Sequence, residues 1–176
     1  MTVTVVGHSL GAALALLDGV FLKCQLDSSI NIQVVGYGMP RVGNQDFANW
    51  VDANLAVDGN LDGLVTRINN KKDPIPILPG KFLGYVHVSG EVHITESGTW
   101  ESCPGKLFSS LSSPRPECGL VLFCPVFGML TWARGSLLIA GQDNGSNLCS
   151  YGDVPEIWDG DLSDHDGPYD GIVMGC

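Results

Sequence analysis

The sequence predicts an α/β fold with a mostly parallel sheet and helices on both faces. Strand-like and helix-like patterns alternate along the first half of the chain, and such alternation builds parallel sheets. The first strand contains the β-branched residues Val3, Val5 and Val6, which favour a buried parallel strand. The chain has 176 residues, 44% of them hydrophobic, which is enough for one domain with a sizeable core.

The predicted elements follow in regular order. A valine-rich strand ends at Gly7, and an alanine- and leucine-rich helix then extends to about Gln25. Asn44 is a suitable cap for a second helix, whose apolar residues recur at helical spacing. The predicted strands are Thr2–Val6, Ile32–Tyr37 and Leu64–Ile68, followed by shorter ones at Val86–Val88 and Glu91–Thr95.

The charge of the chain limits its partners. The formal net charge is −10, and phosphate binding needs Lys and Arg, so we expect no nucleic-acid partner. The same charge disfavours adhesion to anionic membranes. The cysteines lack the paired Cys-x-x-Cys spacing of a structural zinc site, so no metal is predicted. The six cysteines are at positions 24, 103, 118, 124, 149 and 176.

The cysteines and the start of the chain bear on localisation. Cys103, Cys149 and Cys176 lie in loop-like sequence, which suits disulfides in a secreted protein, with scattered free thiols as the alternative. No secretory signal opens the chain, since Met1 leads directly into the first strand. A strand so close to the first residue suggests missing upstream sequence, so the absent signal does not indicate the cytoplasm.

Residues 106–141 differ in composition from the rest. Their three basic residues against Glu117 give a local charge of +2, and the run Gly119 to Ala133 is uncharged. This run is shorter than the roughly 20 residues that a bilayer span needs, so no stable membrane span is predicted. A buried hairpin is one alternative. Our hypothesis is a translated, unspliced intron, because codons for Gly105-Lys106 and Ala140-Gly141 can form a splice donor and acceptor.

Removal of these 36 codons keeps the reading frame and leaves a short polar loop between Cys103 and Cys149. That spacing suits a local disulfide, which we predict. A message spliced through the region would support the hypothesis, and dominant transcripts that retain it would refute it.

The motif Gly7-His8-Ser9-Leu10-Gly11 stands between the first strand and the first helix. This is the setting of a nucleophile elbow, a sharp turn that exposes a serine hydroxyl at a helix N-terminus. Glycines on either side are expected because strand and helix approach too closely for side chains. Ser9 is the predicted nucleophile, and the backbone N–H of Leu10 is a predicted donor to the developing oxyanion.

A serine nucleophile needs a histidine base and a carboxylate that orients this base. With such an elbow, the acid and then the histidine follow the serine along the chain. Asp73 lies in the polar loop after the third strand and precedes Pro74, so Asp73 is the predicted acid; an ordinary Asp-Pro turn is the alternative. Four other aspartates are interpreted as surface residues of helices or loops: Asp46, Asp52, Asp58 and Asp62.

Four histidines compete for the role of base. His165 lies in a late polar loop that could present it over the sheet, and it is the predicted base, with His93 as the second candidate. His87 and His93 lie in predicted strands and are best interpreted as structural. His8 adjoins Ser9 but points elsewhere along the turn, so we expect it to pack or to form a hydrogen bond.

Together these motifs resemble the fungal lipase class 3 family, its basidiomycete members in particular. The matching stretches cover most of the chain outside residues 106–141. They are Thr2–Leu17, Gly36–Asn44, Arg67–Pro79, the Tyr85–Ile94 strand pattern and Asp164–Tyr169.

The resemblance implies a single partial α/β-hydrolase domain over residues 1–176, with 106–141 as an insert that has no family counterpart. It implies a secreted, cofactor-free hydrolase of triacylglycerols or related carboxylic esters, acting on lipid at an oil–water interface. Ser9, Asp73 and His165 would form its catalytic triad. The family's N-terminal half, with its early strands, lid helix and second oxyanion donor, has no counterpart in this chain.

Three alternatives stay open at the level of sequence. The first is a feruloyl-esterase-like activity on plant phenolic esters. The second is a catalytically inactive, truncated remnant. The third is a membrane-associated protein anchored through Gly119 to Ile139.

Overall fold

The computed structural model describes residues 1–55, 65–103 and 148–174. These residues contain a five-stranded sheet in which the strands are ordered as in the sequence. The strands are β1 (Thr2–His8), β2 (Asn31–Tyr37), β3 (Val65–Asn70), β4 (Glu91–Ile94) and β5 (Trp100–Cys103). Strands β1 to β4 are parallel neighbours, and β5 is antiparallel to β4. The prediction of an α/β fold with a mostly parallel sheet is confirmed.

Two long helices connect the strands. They are α1 (Leu10–Gln25) and α2 (Gln45–Asn54), and a single helical turn, α3 (Ser150–Asp153), follows the second gap in the described residues. Asn44 caps α2 as predicted, because its side chain accepts a hydrogen bond from the Phe47 N–H at 3.0 Å. Short 3₁₀ turns lie at Ile75–Ile77, Lys81–Leu83, Ile157–Asp159 and Leu162–Asp166.

The larger core cluster lies on the face of the sheet that α1 and α2 cover. Leu16 of α1 packs with Ile32 and Val34 of β2. Val51 of α2 and Leu55, the residue directly after α2, belong to the same cluster. All five are nearly inaccessible to solvent. This burial drives the docking of both helices, because each fully buried aliphatic side chain contributes about 1.5–3 kcal/mol.

The opposite face of the sheet carries a smaller cluster. Ile68 of β3 and Ile94 of β4 pack against Tyr169, with Tyr37 and Met174 at the margin. Tyr169 and Met174 belong to the C-terminal segment, so this segment lies over the face that the two long helices leave open. The packing of this segment determines where His165 is placed.

Several features differ from the prediction. Strand β1 was expected to be buried, but alternate residues along it are exposed. Strand β3 includes Asn69 and Asn70, which were expected in the following loop. Val86–Val88 does not form a strand; Val86 makes only an isolated bridge with Gly43. Strand β5 was not predicted, because its short polar sequence WESC has no apolar alternation.

The interpretation of Asp52 as a surface residue is wrong. Asp52 is buried on α2, and its carboxylate accepts hydrogen bonds from the Ser89 N–H and hydroxyl, both at 2.9 Å. Burial raises the pKa of Asp52, while the two hydrogen bonds from Ser89 oppose this shift. The partner is 37 residues away, which is why helical periodicity alone could not find it.

The predicted disulfide between Cys103 and Cys149 is present, and it joins β5 to the start of α3. Beside it, the Ser150 N–H donates to the buried Glu91 carboxylate at 2.8 Å. Cys24 is also disulfide-bonded. In the part of the chain that the structure describes, no helix is long and apolar enough to cross a membrane.

Three predictions fall outside the described residues. They concern the insert 106–141, the candidate anchor Gly119–Ile139, and the surface positions Asp58 and Asp62.

Candidate active site

Ser9 lies at a sharp turn between β1 and α1. Its backbone has φ 56° and ψ −129°, a conformation that costs a non-glycine residue about 1–3 kcal/mol. Two hydrogen bonds of 2.9 Å hold the turn: the Ser9 N–H donates to the Tyr37 carbonyl, and the Ala12 N–H donates to the Ser9 carbonyl. The Ser9 side chain makes no capping bond to α1. The turn therefore has the geometry of a nucleophile elbow.

The two glycines of the elbow have different environments. A Cβ atom at Gly7 would overlap the Gly11 carbonyl group and lie 2.7 Å from the nitrogen of Ala12. A Cβ at Gly11 would meet nothing within 4 Å among the described residues. The predicted close approach is therefore confirmed at Gly7 and is wrong at Gly11.

Asp73 follows β3 in a tight turn and is almost fully buried. Its N–H donates to the Asn70 carbonyl at 3.0 Å, which closes the turn. One carboxylate oxygen, Oδ1, accepts from the Ile75 N–H at 2.8 Å. The other, Oδ2, accepts from Nδ1 of His165 at 2.8 Å. Each carboxylate oxygen of Asp73 is therefore oriented by its own hydrogen bond.

His165 lies in the 3₁₀ turn Leu162–Asp166 instead of an irregular loop. Hydrogen bonds join this turn to the turn that follows β3. Asn70 Nδ2 donates to the Asp164 carbonyl at 2.9 Å, and the Lys72 N–H donates to the Asp164 carboxylate at 3.2 Å. The Asp161 N–H donates to the Lys72 carbonyl at 2.8 Å. The segment that contains Asp73 therefore also positions His165.

The contact between Asp73 and His165 fixes the protonation pattern of the imidazole. A carboxylate can only accept, so Nδ1 of His165 carries the proton and Nε2 has a free lone pair. Burial raises the pKa of Asp73, and the hydrogen bonds from His165 and Ile75 oppose this shift. The side chain of Asp73 is 1% exposed and that of His165 is 13% exposed, so water has access to the imidazole but hardly to the carboxylate.

Gly38, at the turn after β2, provides the space in which this pair meets. It has a φ of +54°, and a Cβ there would lie 2.8 Å from Asp73 Oδ2 and 2.8 Å from His165 Nδ1. Any side chain would therefore compete with the Asp–His contact. Sequence reasoning did not single out Gly38; its place directly after a buried strand was the available signal.

The other three histidines make structural hydrogen bonds as the sequence predicted, although His87 does not lie in a strand. His93 is fully buried on β4, and its Nε2 donates to the Lys71 carbonyl at 2.9 Å, so it stabilises the turn that leads to Asp73. His87 bonds the Pro76 carbonyl at 2.6 Å. His8 bonds the His165 carbonyl at 2.8 Å. Hydrogen bonds thus bring together Asp73 and His165 and join the residue next to Ser9 to the same turn.

The elbow serine at the carboxyl end of β1 and the Asp–His pair beyond β3 are characteristic of the α/β-hydrolase fold, and the solved structures agree. The triacylglyceride lipase of Rhizomucor miehei superposes with a TM-score of 0.63 at 27% identity, over 99% of this chain and 49% of the lipase. The lipase of Rhizopus microsporus var. chinensis superposes with a TM-score of 0.62 at 26% identity, over 98% of this chain and 44% of that lipase. The fold is therefore an α/β-hydrolase fold.

Sequence comparisons show which proteins the chain is similar to. The sequence model of the class 3 lipases matches residues 1–83. A secreted mono- and diacylglycerol lipase of Gibberella zeae is 36% identical over 119 residues, 66% of this chain and 29% of that protein. A secreted mono- and diacylglycerol lipase of Malassezia globosa is 39% identical over 106 residues, which are 59% of this chain and 33% of that protein. The chain is therefore similar to the fungal class 3 lipases, and it spans about a third of the length of these relatives.

No group of three or more potential metal-ligating side chains is found among residues 1–55, 65–103 and 148–174.

Proposed function

We propose that the protein is a carboxylic ester hydrolase with Ser9 as nucleophile, His165 as general base and Asp73 as the acid that orients it. The observation that carries this proposal is the 2.8 Å contact between His165 Nδ1 and Asp73 Oδ2, made across 92 residues of sequence. A chance surface ion pair would not have its carboxylate 1% exposed. The strained backbone of Ser9 is a second mark of function, because such strain is concentrated at reactive residues.

The first half of the reaction is acyl transfer to Ser9. As the hydroxyl oxygen bonds to the ester carbonyl carbon, its proton passes to Nε2 of His165. The carbonyl electron pair moves onto oxygen, and the backbone N–H of Leu10 donates to this oxyanion. As the first residue of α1, Leu10 has no intrahelical acceptor for its N–H. The intermediate then expels the alcohol, which takes the proton from His165.

The second half is hydrolysis of the acyl-enzyme. His165 takes a proton from water as the water oxygen bonds to the acyl carbon. Collapse of this second intermediate releases the carboxylic acid and returns the proton to Ser9. The buried Asp73 stays ionised in both halves and stabilises the imidazolium of His165 each time it forms. These steps require no cofactor.

The substrates we propose are acylglycerols, with triacylglycerols as the first candidate. The solved lipase of Rhizomucor miehei is described as acting on triacylglycerides. Mono- and diacylglycerols are the second candidate, since the curated relatives are named for them. Initial rates on emulsified tri-, di- and monoacylglycerols would separate the two, and soluble cinnamate esters would reveal a feruloyl-esterase-like activity.

We further propose that the protein is secreted and meets its substrate as a lipid aggregate. The relatives named above are described as secreted, and the Cys103–Cys149 disulfide fits an oxidising compartment.

The test of the proposed activity is labelling by a fluorophosphonate, which reacts only with an activated serine. We expect covalent labelling of the 176-residue chain, no labelling of Ser9→Ala, and unchanged labelling of Ser97→Ala, a control serine in an exposed turn. A folded chain that stays unlabelled, or a label that persists in Ser9→Ala, would contradict the proposal and favour an inactive remnant.

A further inference from the structure

The backbone carbonyl of His165 accepts two hydrogen bonds from side chains outside the proposed triad. Nε2 of His8 lies 2.8 Å from this oxygen, and the Tyr169 hydroxyl donates to it at 3.1 Å. Because a carbonyl oxygen only accepts, His8 Nε2 carries a proton. The rings also contact one another: the centroids of His8 and His165 are 4.6 Å apart, and those of His8 and Tyr169 are 6.1 Å apart.

Neither flanking carbonyl has more than one side-chain donor among the described residues. The Asp164 carbonyl accepts from the Asn70 side chain at 2.9 Å and from the Gly167 N–H at 3.3 Å. The Asp166 carbonyl accepts from the Met174 N–H at 2.7 Å. The central oxygen, that of His165, has two side-chain donors from opposite directions in the sequence. The position of the His165 imidazole depends on the position of its own backbone. The His165 carbonyl oxygen connects that backbone to β1, because His8 is the last residue of β1.

We propose that His8 and Tyr169 are positioning residues that clamp the His165 carbonyl and so hold the imidazole in register with Ser9; this rests on the proposed function. His8 directly precedes Ser9, so a bond from His8 to His165 ties the segment of the nucleophile to the segment of the base. Tyr169 is buried, and burial raises the pKa of its hydroxyl. The hydroxyl therefore stays protonated and donates throughout the working pH range.

The substitutions that test the clamp remove one donor at a time. Tyr169→Phe removes only the hydroxyl, and His8→Leu removes the ring donor. His8→Gln keeps an N–H group at about the position of Nε2 and is the conservative variant. Tyr85→Phe deletes a hydroxyl outside the segment of His165 and is the matched control.

We expect Tyr169→Phe and His8→Leu each to slow fluorophosphonate labelling and kcat about three- to tenfold, the range of one neutral hydrogen bond, with KM within twofold. Either donor alone partly holds the oxygen, so the double variant should lose more than the product of the single losses. His8→Gln should recover to within about twofold, and Tyr85→Phe should match the wild type.

A second readout does not depend on turnover. The His165 Nδ1 proton, shared with Asp73, gives a far-downfield ¹H NMR signal, which should broaden or exchange faster in Tyr169→Phe and His8→Leu. If the wild type is not labelled, the proposed function fails while this signal still tests the clamp. Unchanged labelling and an unchanged signal in both variants would overturn the clamp, as would a His8→Gln variant as impaired as His8→Leu.

Discussion

Replacement of Gly38 by Ala tests whether the meeting of Asp73 and His165 depends on the space at this turn. The new Cβ would lie 2.8 Å from both Asp73 Oδ2 and His165 Nδ1, whereas ordinary contacts begin at 3.4 Å. Each atom would have to withdraw by about 0.6 Å, so the hydrogen bond between Asp73 and His165 must either lengthen beyond 2.8 Å or move as a unit away from its present position. A misplacement of about 1 Å costs about 10²-fold in rate.

We therefore expect kcat of Gly38→Ala to fall about 10²-fold, equivalent to about 2.7 kcal/mol of transition-state stabilisation. The free energy of unfolding of this variant should also fall by about 1–2 kcal/mol, because alanine is less stable than glycine at positive φ. Gly84→Ala is the matched control, because Gly84 has a φ of +85° and a Cβ there would meet none of the described residues within 4 Å.

The assay is hydrolysis of a soluble short-chain nitrophenyl ester, with the melting temperature of each variant measured in parallel. Both variants should melt about 2–8 °C lower than the wild type, since 1 kcal/mol corresponds to about 2–4 °C at this chain length. Only Gly38→Ala should lose rate. If kcat of Gly38→Ala stays within threefold of that of Gly84→Ala, the reasoning from the Cβ position is refuted.

Three further predictions concern stability. Gly7→Ala should prevent folding because of its overlap with Gly11, whereas Gly11→Ala should change the free energy of unfolding by less than about 1 kcal/mol. The raised pKa of Asp52 means that the native state binds this proton more tightly than the unfolded state, so stability should fall as pH rises from 3.8 through the raised value; Asp52→Asn should lack this slope. Loss of the Cys103–Cys149 disulfide, which closes 46 residues, should cost up to about 4 kcal/mol.

Denaturant unfolding measures all three predictions. A soluble, cooperatively unfolding Gly7→Ala variant would contradict the steric argument at the elbow. Parallel pH profiles of the wild type and Asp52→Asn would show that the buried carboxyl titrates normally. A loss below 1 kcal/mol in the Cys103→Ser, Cys149→Ser double variant would mean that the unfolded chain is already restricted without the bridge.

The features that the sequence predicted well are local ones. The elbow around Ser9 follows from a valine strand, two glycines and an alanine-leucine helix that are contiguous in the chain. The parallel sheet follows from the same alternation, and Asn44 was identified as a helix cap from its neighbours alone.

The features that were missed depend on contacts between distant parts of the chain. Asp52 looked like a surface position of a helix because nothing near it in sequence reveals Ser89 as its partner. The requirement for glycine at position 38 comes from Asp73 and His165, both far along the chain. Strand β5 exists because β4 offers it an antiparallel partner, and its own sequence carries no strand signal.

The Cα atoms of Cys103 and Cys149 are only 5.9 Å apart, so the two ends of the segment between them are fixed next to each other. The length of chain between two such ends has little effect on the domain: shortening the closed loop from 46 residues by the 36 codons of the suspected intron changes its closure free energy by only about 1.4 kcal/mol. The predicted active-site residues Ser9, Asp73 and His165 all lie outside this loop. Evolution, missplicing or an engineer could therefore lengthen, shorten or replace the segment between these two cysteines without moving the residues proposed to carry out the chemistry.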